Sequence, residues 1–87
     1  MIDLLENNWE IISKDDEEHL QKRYDFDSFK SAIDFITKVA LISEQQNHHP
    51  EIWNSYNVVQ LSLTTKDHQN RITEKDELLA RSIDELV

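Results

Sequence analysis

Glu44-Gln45-Gln46-Asn47-His48-His49-Pro50-Glu51-Ile52-Trp53-Asn54-Ser55-Tyr56 divides the chain into two kinds of pattern. Before it, apolar residues recur at helical spacing; after it, they alternate. Pro50, the only proline, holds its own φ near about −65° and pushes His49 out of the helical region into extended geometry. A helix must therefore end, and a strand begin, at a pair of adjacent histidines. Imidazole, with an unperturbed pKa of about 6.5, holds or releases a proton at neutral pH, so two neighbours can divide acid and base duties. Such pairs also occur at solvated turns that catalyse nothing, and the surrounding chain has to supply the reason to single this one out.

Working backwards from the histidines, Phe29, Ala32, Ile33, Ile36 and Ala40 recur at helical spacing, joined by Phe35, Val39 and Ile42 on the adjoining stripe. Asp27 or Ser28 caps this core helix, which runs out at Gln46 or Asn47. From His19 to Phe26, residues Leu20, Lys22, Tyr24 and Phe26 alternate with Gln21, Arg23 and Asp25, the period of a half-buried strand. Trp9–Lys14 is expected to form a first strand, Asp15–Glu18 a solvated acidic connection, and Met1–Asn8 a short N-terminal helical turn.

Working forwards, Glu51–Ser55 is expected to form a short strand and Tyr56–Thr65 a longer one. The row Val59, Leu61, Leu63, Thr65 should face the helices, and the row Gln60, Ser62, Thr64, Lys66 should face water or a second subunit. Lys66–Arg71 is a polar turn in which Asn70 best tolerates a left-handed backbone. Thr73 begins a last helix, with Asp76 as the acidic partner of a capping box and Leu79, Ala80, Ile83, Leu86 and Val87 as its apolar stripe. The predicted order β-β-α-β-β-α gives an α+β fold, with an antiparallel four-stranded sheet and two main helices on one face, residues 1–87 forming a single domain.

Composition narrows the function. With 9 basic and 18 acidic side chains the net charge is −9, which disfavours direct nucleic acid binding and anionic membranes. There is no glycine, which removes the phosphate-cradling loops of ATP and NAD sites, and no cysteine for a disulfide or thiolate metal site. No window approaches a membrane span and the N-terminus lacks a basic leader, so a cytoplasmic protein is expected. Adjacent histidines without HExxH spacing are a weak zinc pattern, and no metal is expected. A thin core and open sheet edges favour self-association.

The motifs Tyr24-x-Phe26-x-x-Phe29-x-x-Ala32-x-x-Phe35-x-x-x-Val39-Ala40, Glu44-x-x-x-His48-His49-Pro50-Glu51, Tyr56-Asn57-x-Val59 and Thr73-x-x-Asp76-x-x-Leu79-Ala80-x-x-Ile83-Asp84 together resemble the pterin-4a-carbinolamine dehydratases. That family also serves in animals as dimerisation cofactor of a homeodomain transcription factor. The resemblance implies a homodimer or homotetramer that removes water from a 4a-hydroxy-tetrahydropterin, in tetrahydrobiopterin recycling, with no cofactor. It implies catalytic roles for His48 and His49, and substrate contacts from Glu44, Pro50 and Glu51, with Asp76 either near the substrate or simply a cap.

One position departs from the family. Its members usually carry a third histidine after the long strand, where this chain reads Thr65-Lys66-Asp67. A lysine, with an unperturbed pKa of about 10.4, donates hydrogen bonds at neutral pH but is a poor general base. Lys66 is therefore expected to occupy the catalytic position with impaired chemistry, and His68 reaches the site only if the strand continues past Asp67. The alternative is a weak or inactive family member that acts as a dimeric interaction or assembly module.

Overall fold

The computed structural model describes residues 1–87. Its elements are α1 (Ile2–Glu6), β1 (Glu10–Lys14), β2 (Glu17–Asp25), α2 (Phe29–Gln46), β3 (Glu51–Ser55), β4 (Val58–Leu63), a 3-10 turn at Lys66–His68, and α3 (Glu74–Asp84). The four strands form one antiparallel sheet in the order β1-β2-β4-β3. The sequence β2-α2-β3 is a split crossover with β4 inserted between its two strands. This is the expected α+β architecture.

One face of the sheet is covered. Leu20 and Tyr24 of β2 and Val59, Leu61 and Leu63 of β4 join Ala32, Phe35 and Val39 of α2 and Leu79, Ala80 and Ile83 of α3 in the buried core. Tyr24, Phe26 and Phe35 form an aromatic cluster, with the Phe35 ring centroid 4.7 Å from Tyr24 and 4.9 Å from Phe26. Trp53 of β3 stands on the uncovered face, opposite Gln60, and is 56% exposed. No helix is long and apolar enough to cross a membrane.

Several boundaries differ from expectation, each for a local reason. The acidic stretch is not a loop: Lys14 pairs with Glu17 across a two-residue turn, and Asp15 and Asp16 both take positive φ (53° and 65°), the type I′ pattern. Tyr56 and Asn57 likewise form the β3–β4 turn rather than the start of a strand, with Tyr56 at φ 51°. Because the chain has no glycine, left-handed positions fall mainly to Asn and Asp: Asn8, Asp15, Asp16, Asn47 and Asn70 are five of the seven. Of the two apolar stripes on α2, the sheet takes the one through Phe35 and Val39, together with Ala32 from the other. Phe29 (52%) and Ile33 (37%) are left exposed with Leu41 (62%). Val87 is also exposed, and of the N-terminal apolar residues Leu4 is buried while Ile2 and Leu5 are not.

The polar interactions concentrate at the end of α3. Asp84 accepts hydrogen bonds from Asn7 Nδ2, Trp9 Nε1 and Lys22 Nζ, each at 2.8 Å, and from the Tyr24 hydroxyl at 2.7 Å. Lys22 thus lies on the apolar face of β2 with its charge neutralised, its Nζ 4.8 Å from the Tyr24 ring centroid. Burial pushes the Asp84 carboxyl up, but the bonds from Lys22, Tyr24, Trp9 and Asn7 outweigh it and hold the group below the usual carboxylate range. Burial, reinforced by donation to Asp84, raises the Tyr24 phenol.

A carboxyl whose pKa is lower in the folded chain stabilises the fold fully above its unfolded value of about 3.9, and that contribution is lost as pH falls through the lower folded value. Asp84→Asn, which keeps the shape and removes the charge, is expected to cost about 2–3 kcal/mol in urea unfolding at pH 7. The difference from wild type should shrink below about pH 4. Equal stability of the two proteins at pH 7 would refute this assignment.

Candidate active site

The end of α2 places the histidines. Asn47 adopts a left-handed conformation (φ 50°, ψ 44°), and the His48 N–H returns to the Ser43 carbonyl at 3.0 Å, closing the helix in a Schellman-type turn. Ser43 is buried, its hydroxyl spent on the Val39 carbonyl at 2.7 Å. Pro50 then directs the chain into β3, so His48 and His49 leave the helix at a defined angle.

At the start of α3, Thr73 is the N-cap and forms a capping box with Asp76. Asp76 is fully buried, and Oδ2 accepts from the Thr73 N–H (2.9 Å) and the Thr65 hydroxyl (2.7 Å). Thr65 donates its one hydroxyl hydrogen bond to the carboxylate, so the 2.6 Å contact between the two threonine hydroxyls has Thr73 as donor. Asp76 Oδ1 lies 2.6 Å from His48 Nε2. An ionised carboxylate only accepts, so Nε2 carries the proton and a neutral His48 keeps its lone pair on Nδ1. Nδ1 has no protein partner, and Gln46 Oε1 is the only buried side-chain polar atom without one, so Nδ1 retains access to solvent. His49 Nε2 hydrogen-bonds Glu44 Oε2; both side chains are exposed.

A cavity of about 350 Å³ opens over these groups, lined by Asn47, His48, His49, Thr64, Lys66, Asp67 and Lys75. That is the lower end of small-molecule sites. Lys66 lines the cavity although the strand stops at Leu63; it opens the 3-10 turn that follows. His68, at the far end of that turn, is outside the lining and is exposed beside Asp67. Pro50 is also outside the lining, and Glu51 points to the uncovered face of the sheet, where it borders a different depression with Ile12, His19 and Ser62. Glu44 and Asp76 are also outside the lining: Glu44 meets the site only through His49, and Asp76 caps α3 and lies buried behind His48. Lys75 was missed: at a solvent-facing position in the first turn of a helix, nothing in the local pattern marks it. His, Asp and Glu side chains form no group of three or more placed to hold a metal ion.

The geometry brings two histidines, each bonded to a carboxylate, to one polar cavity on an α+β frame. The profile of the pterin 4 alpha carbinolamine dehydratase family matches residues 2–86, and the chain belongs to that family. A Prochlorococcus marinus (strain NATL2A) protein, provisionally named a pterin-4-alpha-carbinolamine dehydratase, is 39% identical over all of this chain and 98% of its own length. The crystal structure of a transcriptional coactivator/pterin dehydratase from Brucella melitensis superposes with a TM-score of 0.83 at 32% identity, over 97% of this chain and 88% of that one. A pterin dehydratase-like protein identified as a RuBisCO assembly factor in the alpha-carboxysome superposes with a TM-score of 0.76 at 25% identity, over 91% of this chain and 88% of that one.

Asp76→Ala removes the cap partner and the His48 acceptor together. It is expected to cost at least about 2 kcal/mol in urea unfolding, and 15N resonances of His48 should show the Nε2–H tautomer in wild type and a mixture in the variant. A wild-type His48 with its proton on Nδ1 would overturn the assignment.

Proposed function

We propose that residues 1–87 act as one dehydratase unit that removes water from a 4a-hydroxy-tetrahydropterin to give the quinonoid dihydropterin. The observation that carries the reading is the His48–Asp76 pair at a cavity that His49 also lines, in a chain of this family. The reaction breaks the C4a–O bond and the N5–H bond, and the proton removed balances the proton delivered to the departing hydroxyl. His48, its proton held on Nε2 by Asp76, takes the N5 proton through Nδ1. His49, in its protonated form and oriented by Glu44, delivers a proton to the hydroxyl. Neither step calls for a cofactor.

Lys66 stands where the family's third histidine is expected. An ammonium donates hydrogen bonds and has no lone pair, so Lys66 holds a polar edge of the substrate without serving as a base, and turnover is slowed. The unpaired edges of β1 and β3 and the exposed stripe Phe29, Ile33, Leu41 support a homodimer or homotetramer. Membership of the family supports action in the tetrahydrobiopterin cycle, and a chain without cysteine is compatible with the cytoplasm.

A second reading, an assembly or interaction module with little activity, is favoured by the likeness to the RuBisCO assembly factor and by Lys66 itself. One experiment separates the two: dehydration of freshly generated carbinolamine by wild type, His48→Ala and Lys66→His. Catalysis by wild type that falls about a hundredfold or more in His48→Ala is the expected result. A wild type no faster than the uncatalysed reaction, with activity appearing in Lys66→His, would replace the dehydratase by the module.

A further inference from the structure

The nine cationic side chains are distributed unevenly among partners. Arg23, Arg71 and Arg81 pair with Asp25, Glu18 and Asp3, and Lys22 and Lys30 pair with Asp84 and Asp34. Lys14, Lys38, Lys66 and Lys75 have no carboxylate within ion-pair distance, and two of these four, Lys66 and Lys75, line the histidine cavity. The cavity's other charged groups are few. Asp67 is in the lining, beside His68, and the carboxylates of Asp76 and Glu44 are engaged by His48 and His49.

In a chain of net charge −9, two lysines without an ion-pair partner share the lining of a single cavity, with Asp67 its one carboxylate. The lining has no apolar side chain, and Asn47 and Thr64 add polar groups to those of the lysines. Such a surface binds a polar, negatively charged group better than a neutral one, because ammonium donors make charge-assisted hydrogen bonds to phosphate or carboxylate oxygens. A lysine in place of a histidine here exchanges a titrating group for a permanent donor and so shifts the site toward anions.

We propose that Lys66 and Lys75 form an anion subsite beside the histidines, and that the pterin this protein takes carries a phosphate or carboxylate on its side chain. The inference rests on the reading of the cavity as a pterin site and adds the class of pterin. Lys66, at the start of the 3-10 turn, and Lys75, in the first turn of α3, come from segments joined by the Thr65–Thr73 and Thr65–Asp76 hydrogen bonds, so both ammonium groups serve the same cavity.

Calorimetric titration of the 87-residue chain tests it with four ligands: a dihydropterin with a hydroxylated side chain, its phosphate monoester, a pterin carboxylate, and inorganic phosphate. The charged pterins are expected to bind about tenfold or more tighter than the neutral one at low salt. The phosphate ester and the carboxylate together distinguish the two anion sources. The gap should narrow in Lys66→Gln and Lys75→Gln and with rising salt, and persist in Lys38→Gln, whose lysine lies outside the cavity. Equal affinity for neutral and charged pterins, or inorganic phosphate binding as tightly as the pterin phosphate, would overturn the proposal. If the neutral pterin binds equally well and its carbinolamine is dehydrated, the dehydratase reading stands and the anion subsite falls. A charged pterin that binds tightly, with no dehydration of its carbinolamine, leaves the subsite and removes the dehydratase. Binding of no pterin overturns both.

Discussion

Helix α3 is held by a carboxylate near each end, and the rest of the molecule is arranged by that constraint. At its C-terminal end Asp84 collects donors from the chain before β1 and from β2, residues 60 to 77 positions away in sequence. In a chain this short, burial of apolar surface alone leaves a thin margin, and a carboxylate with four donors closes the N-terminal segment, the sheet and the last helix into one unit. At the other end Asp76, wholly buried, caps the same helix and holds His48. The helix thereby spans from the Asp84 knot to the His48 ring.

Much of this was legible because the strongest patterns are local. Pro50 ends α2 whatever the tertiary context, so the histidine pair had to sit at a helix–strand junction. Alternation in β4 separated Val59, Leu61 and Leu63 from Gln60 and Ser62, and Thr73 and Asp76 form the box their spacing announced. What was not legible depends on choices among equals. Two apolar stripes on α2 were available, and only the packed sheet decided that Phe35 and Val39 go in while Phe29 and Ile33 stay out. Asp15-Asp16 looked like a charged loop because aspartate seldom stands at both central positions of a hairpin turn usually associated with glycine.

The site was less legible than the fold, and for a different reason. His48, His49 and Glu44 lie within one helical turn and a junction, so their proximity is dictated locally. Lys66 comes from a turn whose geometry no periodicity predicts, and Lys75 from a helix face that should have been solvent. The same shape is shared by a coactivator/dehydratase and by an assembly factor, so the scaffold alone does not choose a function. In this chain the two histidines share their cavity with Lys66 and Lys75.

The two tryptophans occupy opposite extremes of this structure. Trp9 is 1% exposed, its ring edge against Tyr24 and its N–H given to Asp84, while Trp53 lies half open on the bare face of the sheet. The protein therefore carries two built-in optical probes with separate loyalties. The emission of Trp9 follows the integrity of the knot at the end of α3, and that of Trp53 follows whatever comes to rest on the sheet. With one indole replaced by phenylalanine at a time, unfolding and surface association become separately visible without any external label.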